Sequence, residues 1–128
     1  MSVVARQIAL FGTLLTLAVA LPGDLRAIAE GFSDQGEWQL SLGLSLKLMM
    51  HVLAILGLYL DQTFGYAFLL GASLQGGLIA VGYLVALDPT ARAEHPAQLI
   101  WPALDLAFRG YCLIFLAVNW RRIIGKEE

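Results

Sequence analysis

Four stretches of this chain are long and apolar enough to cross a bilayer: about Arg6 to Pro22, Trp38 to Leu60, Phe64 to Leu87 and Ile100 to Trp120. A helix needs roughly 20 mainly apolar residues to span the hydrocarbon core. Inside lipid, its backbone N–H and C=O groups must find their partners within the helix. Four such segments in 128 residues leave only short connections. The expected fold is therefore all-α, a single domain over residues 1–128 built as a four-transmembrane-helix bundle. Composition agrees, because 14% charged residues falls well short of the roughly 25% that covers a soluble domain with polar surface. The first stretch is the shortest. Arg6 ahead of an apolar run ending in Ala18-Val19-Ala20 also has the outline of a signal peptide, and the expectation is that it stays as a span.

The connections set the topology. Pro22-Gly23 and Asp88-Pro89 are helix breakers at the ends of apolar runs. Asp61-Gln62-Thr63 is long enough only for a tight turn, so spans two and three form an antiparallel hairpin. An even number of spans puts both termini on one side. That side holds Arg6, Arg121, Arg122 and Lys126, against Arg26 and Arg92 in the opposite loops. The positive-inside rule then predicts an N-in, C-in protein with cytoplasmic termini, in a bacterial inner membrane. Trp38, Tyr83 and Trp101 near the outer span ends, and Tyr59, Tyr66 and Trp120 near the inner ends, read as interface anchors. In the first outer loop, Leu25, Ile28, Ala29 and Phe32 follow helical spacing among Asp24, Glu30, Asp34 and Glu37. This pattern predicts a short interfacial helix.

Ionisable residues inside the spans are the candidates for function. Lys47 and His51 lie four apart on span two, and Asp105 and Arg109 four apart on span four, so each pair shares a helical face. Counted along the helix, Lys47 sits ~13 Å below Trp38, His51 ~20 Å, Arg109 ~12 Å below Trp101, Asp105 ~6 Å, and Gln75 ~18 Å below Leu87. Thr13 and Thr16 occupy the same half of span one. Each ionised group near the bilayer centre costs about 2.5–3.5 kcal/mol on insertion scales, so these groups should face one another or a wet cavity. With Asp105 as the one intramembrane acid beside Lys47 and Arg109, one positive charge is expected to be left over and to require an anion, a lipid phosphate or a partner's carboxylate.

Several chemistries find no support. A net charge of -2 and a pI near 5.6, with Lys and Arg scattered, give no footprint for nucleic acid. Cys112 is the lone cysteine and reads as packing, and no Cys/His spacing resembles a metal site. Bis-histidine haem needs two facing imidazoles, whereas only His51 is intramembrane and His95 falls in the polar segment Ala91 to Gln98. No cofactor is indicated by a motif. A quinone carbonyl is within the bonding repertoire of His51, Arg109 and Asp105, and catalysis is the least supported class.

Span three adds small residues in small-xxx-small spacing, Ala72/Gly76, Ser73/Gly77 and Gly76/Ala80, which pack helices closely. Ala72, Gly76, Gly77 and Ala80 are accordingly the expected helix-packing set. Two functional expectations follow. The first is an accessory or assembly subunit that packs against other membrane subunits or its own copies through span three and the polar layer. The second is a small oligomeric transporter or channel for an anion or proton-coupled solute, lined by Lys47, His51, Asp105 and Arg109 with Gln75 nearby.

Overall fold

The computed structural model describes residues 3–33, 38–86 and 96–125. These residues form α1 (Val3–Ser33), α2 (Trp38–Tyr59), α3 (Thr63–Ala86), a short 3-10 turn (Pro96–Leu99) and α4 (Ile100–Gly125). All four α-helices are long and apolar enough to cross a membrane. Asp88-Pro89, Arg92 and His95, like Asp34, Glu37 and Lys126, lie outside the described residues. Pro102 falls in the first turn of α4, where a missing N–H breaks no helical bond.

Consecutive helices pack side by side, α1 on α2, α2 on α3 and α3 on α4, while α1 and α4 touch far less. Their meeting points include the end of the bundle that carries the termini, where the Tyr111 hydroxyl donates to the Ala5 carbonyl at 2.8 Å. The apolar core fills that same half with Ala9, Ala54, Leu58, Tyr66, Leu69, Phe115 and Ile123. Phe115 stands 6.4 Å from the Tyr66 ring and 6.3 Å from the Tyr111 ring, centroid to centroid. Large apolar side chains point outward instead, Val118 at 77% exposure and Leu78 at 74%, as expected of surface whose solvent is lipid.

The hairpin between α2 and α3 closes as the spacing predicts. Gln62 N donates to Gly57 O at 2.9 Å and Asp61 N to Leu58 O at 3.2 Å, the paired bonds of a Schellman cap. Asp61 takes the left-handed position of that cap, φ 53°, which aspartate tolerates better than most side chains. Its carboxylate accepts from the Tyr66 hydroxyl at 2.6 Å and pairs with Arg6 at 3.1 Å. These contacts tie α1 to the turn. Tyr66 is therefore a fully buried core residue, not the interface anchor expected from its position near a span end. Its hydroxyl has a partner inside the protein and does not need headgroups.

The larger departure is in α1. Pro22-Gly23 does not end the helix, which runs on for 31 residues, about 46 Å at 1.5 Å per residue against a hydrocarbon core of ~30 Å. Leu25, Ile28 and Ala29 are helical, as their spacing indicates, but as the last turns of α1 and not as a separate helix. A proline removes one backbone hydrogen bond, and neighbouring helices can hold the chain on course past it. Here α2 does so, with Ser41 Oγ donating to Ile28 O at 2.9 Å and Lys47 meeting Asp24 at 3.1 Å.

Candidate functional site: a charged chamber between the helices

In the half of the bundle away from the termini the four helices border a half-open cavity of about 500 Å³. Every helix contributes: Thr16 and Asp24 from α1, Lys47 and His51 from α2, Gly76 and Tyr83 from α3, Trp101, Asp105 and Arg109 from α4. Of the polar layer anticipated from helix depth, Thr16, Lys47, His51, Asp105 and Arg109 line this wall.

Arg109 is the hub. It is 3% exposed, its Nε donates to Asp105 Oδ1 at 3.2 Å and its Nη2 donates to His51 Nε2 at 2.9 Å. The third nitrogen, Nη1, is buried with no partner among the described residues. The guanidinium lies over Gly76, where an added Cβ would stand 2.6 Å from Nε and 2.8 Å from Cζ. Gly76 therefore does more than let helices approach. It leaves the space that the charged group occupies. Gly77 is less constrained, its Cβ position 3.8 Å from Arg109 Cβ.

His51 has one tautomer consistent with its neighbours. Nδ1 lies 2.7 Å from Lys47 O, and a carbonyl has no proton to give. Nε2 faces a guanidinium, which has no lone pair. The ring therefore carries its proton on Nδ1, donates to Lys47 O and accepts from Arg109. This links α2 to α4 through a neutral imidazole.

Lys47 Nζ pairs with Asp24 Oδ2 at 3.1 Å. The expectation of a positive charge left over is corrected by this contact. Asp24 had been counted with the outer-loop acids because Pro22-Gly23 marked the helix end, and the continuation of α1 carries it down to Lys47 instead. Two cations now face two carboxylates. The Lys47 and Asp24 side chains keep 14% and 16% exposure, so the pair is less desolvated than a fully buried one. Asp24→Ala is expected to cost about 1–3 kcal/mol of unfolding free energy in mixed micelles, between the values for exposed and fully buried pairs. No change on substitution would mean the pair contributes nothing.

The remaining candidates divide. Thr16 lines the chamber but its hydroxyl bonds to Thr13 O at 2.9 Å, and Thr13 Oγ1 to Ala9 O at 2.6 Å. Gln75 is half-buried, stands apart from the chamber wall, and its Oε1 has no partner among the described residues. Ala72 and Ala80 are buried at 0% and 4% exposure, Ala80 on the chamber wall. Cys112 is fully buried, in keeping with a packing role. Asp24 and the seat at Gly76 are what sequence reasoning missed. Among the described residues no group of three or more His, Cys, Asp or Glu side chains could hold a metal ion. Comparison of the chain with known protein families, with curated proteins and with solved structures finds no match in any of the three.

Proposed function

We propose that this chain is a small solute-binding membrane protein of the transporter class, with the chamber as its binding site. The observation that carries the reading is the cavity of about 500 Å³ walled by all four helices, with ion pairs on two sides. That volume lies within the range of small-molecule sites, about 300–1,000 Å³. Ionisable groups inside a membrane are also costly enough that their convergence on a cavity points to a pathway or site.

An accessory role in a larger assembly draws on a leftover positive charge, the small-residue face of α3 and very short soluble parts, and the first two have partners within the protomer that favour the binding-site reading. Asp24 matches Lys47, and Ala72, Gly76 and Ala80 are buried within the bundle while α3 shows Leu74, Leu78 and Val85 outward. In the proposed orientation the termini face the cytoplasm of a bacterial inner membrane, supported by Arg6, Arg121 and Arg122 at that end. The chamber then lies in the outer half, beneath the last turns of α1 at the membrane surface.

Site and orientation are testable together in intact cells with a membrane-impermeant maleimide. In a Cys112→Ala background, Ala20→Cys and Ile79→Cys line the chamber, Val118→Cys faces outward at 77% exposure, and Arg122→Cys marks the terminal end. The chamber cysteines should react roughly tenfold faster than Val118→Cys, because the reactive thiolate needs water, and Arg122→Cys should stay unlabelled until the cells are opened. Chamber cysteines as inert as Val118→Cys would contradict the site. Labelling of Arg122→Cys in intact cells would reverse the orientation.

A further inference from the structure

We infer that the chamber opens sideways to the bilayer between α1 and α4 and takes a membrane amphiphile, its polar head among Asp24, Lys47 and Asp105 and its hydrocarbon chain leaving between the two helices. The inference rests on the reading of the chamber as a binding site and adds its entrance and the chemical class of its occupant.

The open side follows from how the helices meet. α1 packs closely on α2, α2 on α3 and α3 on α4, while α1 and α4 touch far less. Where these two do meet, the Phe108 ring occupies the space that a Cβ at Gly12 would need, and the Tyr111 hydroxyl reaches Ala5 O. Phe108 adjoins Arg109 in the chain, so both contacts lie level with the chamber floor or beyond it toward the termini. Outward of Gly12 the chamber itself stands between the helices, with Leu17 and Ala20 of α1 on one side and Pro102 and Asp105 of α4 on the other. The cavity is half-open, and this is the flank with the least helix packing to close it. Both helices are long and apolar enough to cross the membrane, so the flank faces acyl chains.

Polarity is graded along the chamber. Lys47 and Asp105 each stand one helical turn outward of His51 and Arg109, and the hydrogen bond from Arg109 to His51 sets the two pairs level. Asp24 joins this outer ring through Lys47. The three side chains of the ring keep accessible surface. At the floor, Arg109 and His51 are buried, and the Thr16 hydroxyl is bonded to the Thr13 carbonyl. One turn inward of Asp24, Ala20 keeps surface, as does Leu17 below it, and both border the open side. An occupant therefore meets charges of both signs at one level and hydrocarbon at the next. That is the profile of a lipid. A wholly polar solute would leave the apolar lip unused, and a wholly apolar one would take water from the ring without bonding to it. A chain lying against Leu17 and Ala20 removes apolar surface from water and continues into the bilayer.

The test uses the full chain held in an amphipathic polymer, which supplies no lipid. The probe is a single-chain phosphocholine lipid with a photoactivatable diazirine in the first carbons of its chain, and adducts are mapped by mass spectrometry. Adducts on Leu17 and Ala20 should fall about tenfold when the same lipid without diazirine is added at about ten times its Kd, since roughly a tenth of the sites then stay free. Adducts on outward-facing Leu78 should not respond. Glycerophosphocholine, the head group without a chain, should change neither. A single-chain phosphoglycerol lipid run in parallel identifies the preferred head, because the better competitor is the better fit. Ala20→Trp, which fills the chamber, should remove the competable adducts, and competition on the unaltered protein decides the matter even if this variant fails to fold. Competition by glycerophosphocholine alone overturns the amphiphile and leaves the chamber as a site for a water-soluble solute. Adducts on Leu17 and Ala20 that no lipid competes away overturn the amphiphile as well. In that case the chamber survives as a site if Ala20→Cys and Ile79→Cys react with the maleimide in the same polymer, and falls too if they are inert.

Discussion

Asp105→Leu is expected to remove about 3–5 kcal/mol of stability, the cost of stranding one partner of a buried ion pair. Arg109→Leu should cost less, although the two residues form a single contact at 3.2 Å. The asymmetry follows from what each substitution leaves behind. Without Asp105, a guanidinium 3% exposed keeps its charge, since arginine cannot be deprotonated in a protein. Without Arg109, the carboxylate left behind has a side chain 18% exposed, so it is the less deeply buried of the two charges. The double variant Asp105→Leu/Arg109→Leu removes both charges and should recover most of the loss, leaving mainly the vacated acceptor on His51. Unfolding free energies of the four proteins in mixed micelles check the order. Additive single effects would show that the pair does not act as a unit.

Gly57→Ala should destabilise the bundle by about 3 kcal/mol, at the upper end of the range for overpacking. A Cβ at Gly57 would collide with the Cα and backbone nitrogen of Gly65, and one at Gly65 with the Gly57 backbone in return. The obstacle is main chain, so no rotamer change relieves it. Nor can the helices part there, because only residues 60–62 separate α2 from α3 and the cap bonds of that turn begin at Gly57 O and Leu58 O. Gly110→Ala is the control. Nothing lies within 4 Å of its Cβ position, so it should be neutral or stabilise by up to ~1 kcal/mol through helix propensity. Equal effects at the two positions would mean that the α2–α3 crossing is looser than described.

The helices were legible because hydropathy and chain length leave a membrane chain few options. Runs of about 20 apolar residues have the length of spanning helices, and a three-residue connection between two of them makes a hairpin. Shared faces were legible for the same kind of reason, since Lys47/His51 and Asp105/Arg109 are each four apart and helical periodicity is a local property. Contacts across long stretches of sequence left no comparable trace. Asp24 follows a proline and a glycine, and local rules place such a residue in a loop. Only the packing of α1 along α2 makes it Lys47's partner. Arg6, Asp61 and Tyr66 come together from two helices and a turn, and nothing in the spacing of Arg6 announces it. Gly76 was read as a packing glycine because small-xxx-small spacing describes close helices. That it seats a guanidinium depends on which side chain arrives from α4.

All of this turns on polar groups of separate helices meeting at one point in the membrane, and His51 reports on that point directly. Nitrogen NMR of histidine-labelled protein in nanodiscs, with His95 replaced by glutamine to leave one signal set, distinguishes the two ring nitrogens and their protons. The structure predicts a neutral ring protonated on Nδ1, with Nε2 bare and accepting from Arg109, and loss of that hydrogen-bonded signature in Arg109→Leu. A ring protonated on Nε2, or one unchanged by Arg109→Leu, would contradict the α2–α4 link and with it the chamber.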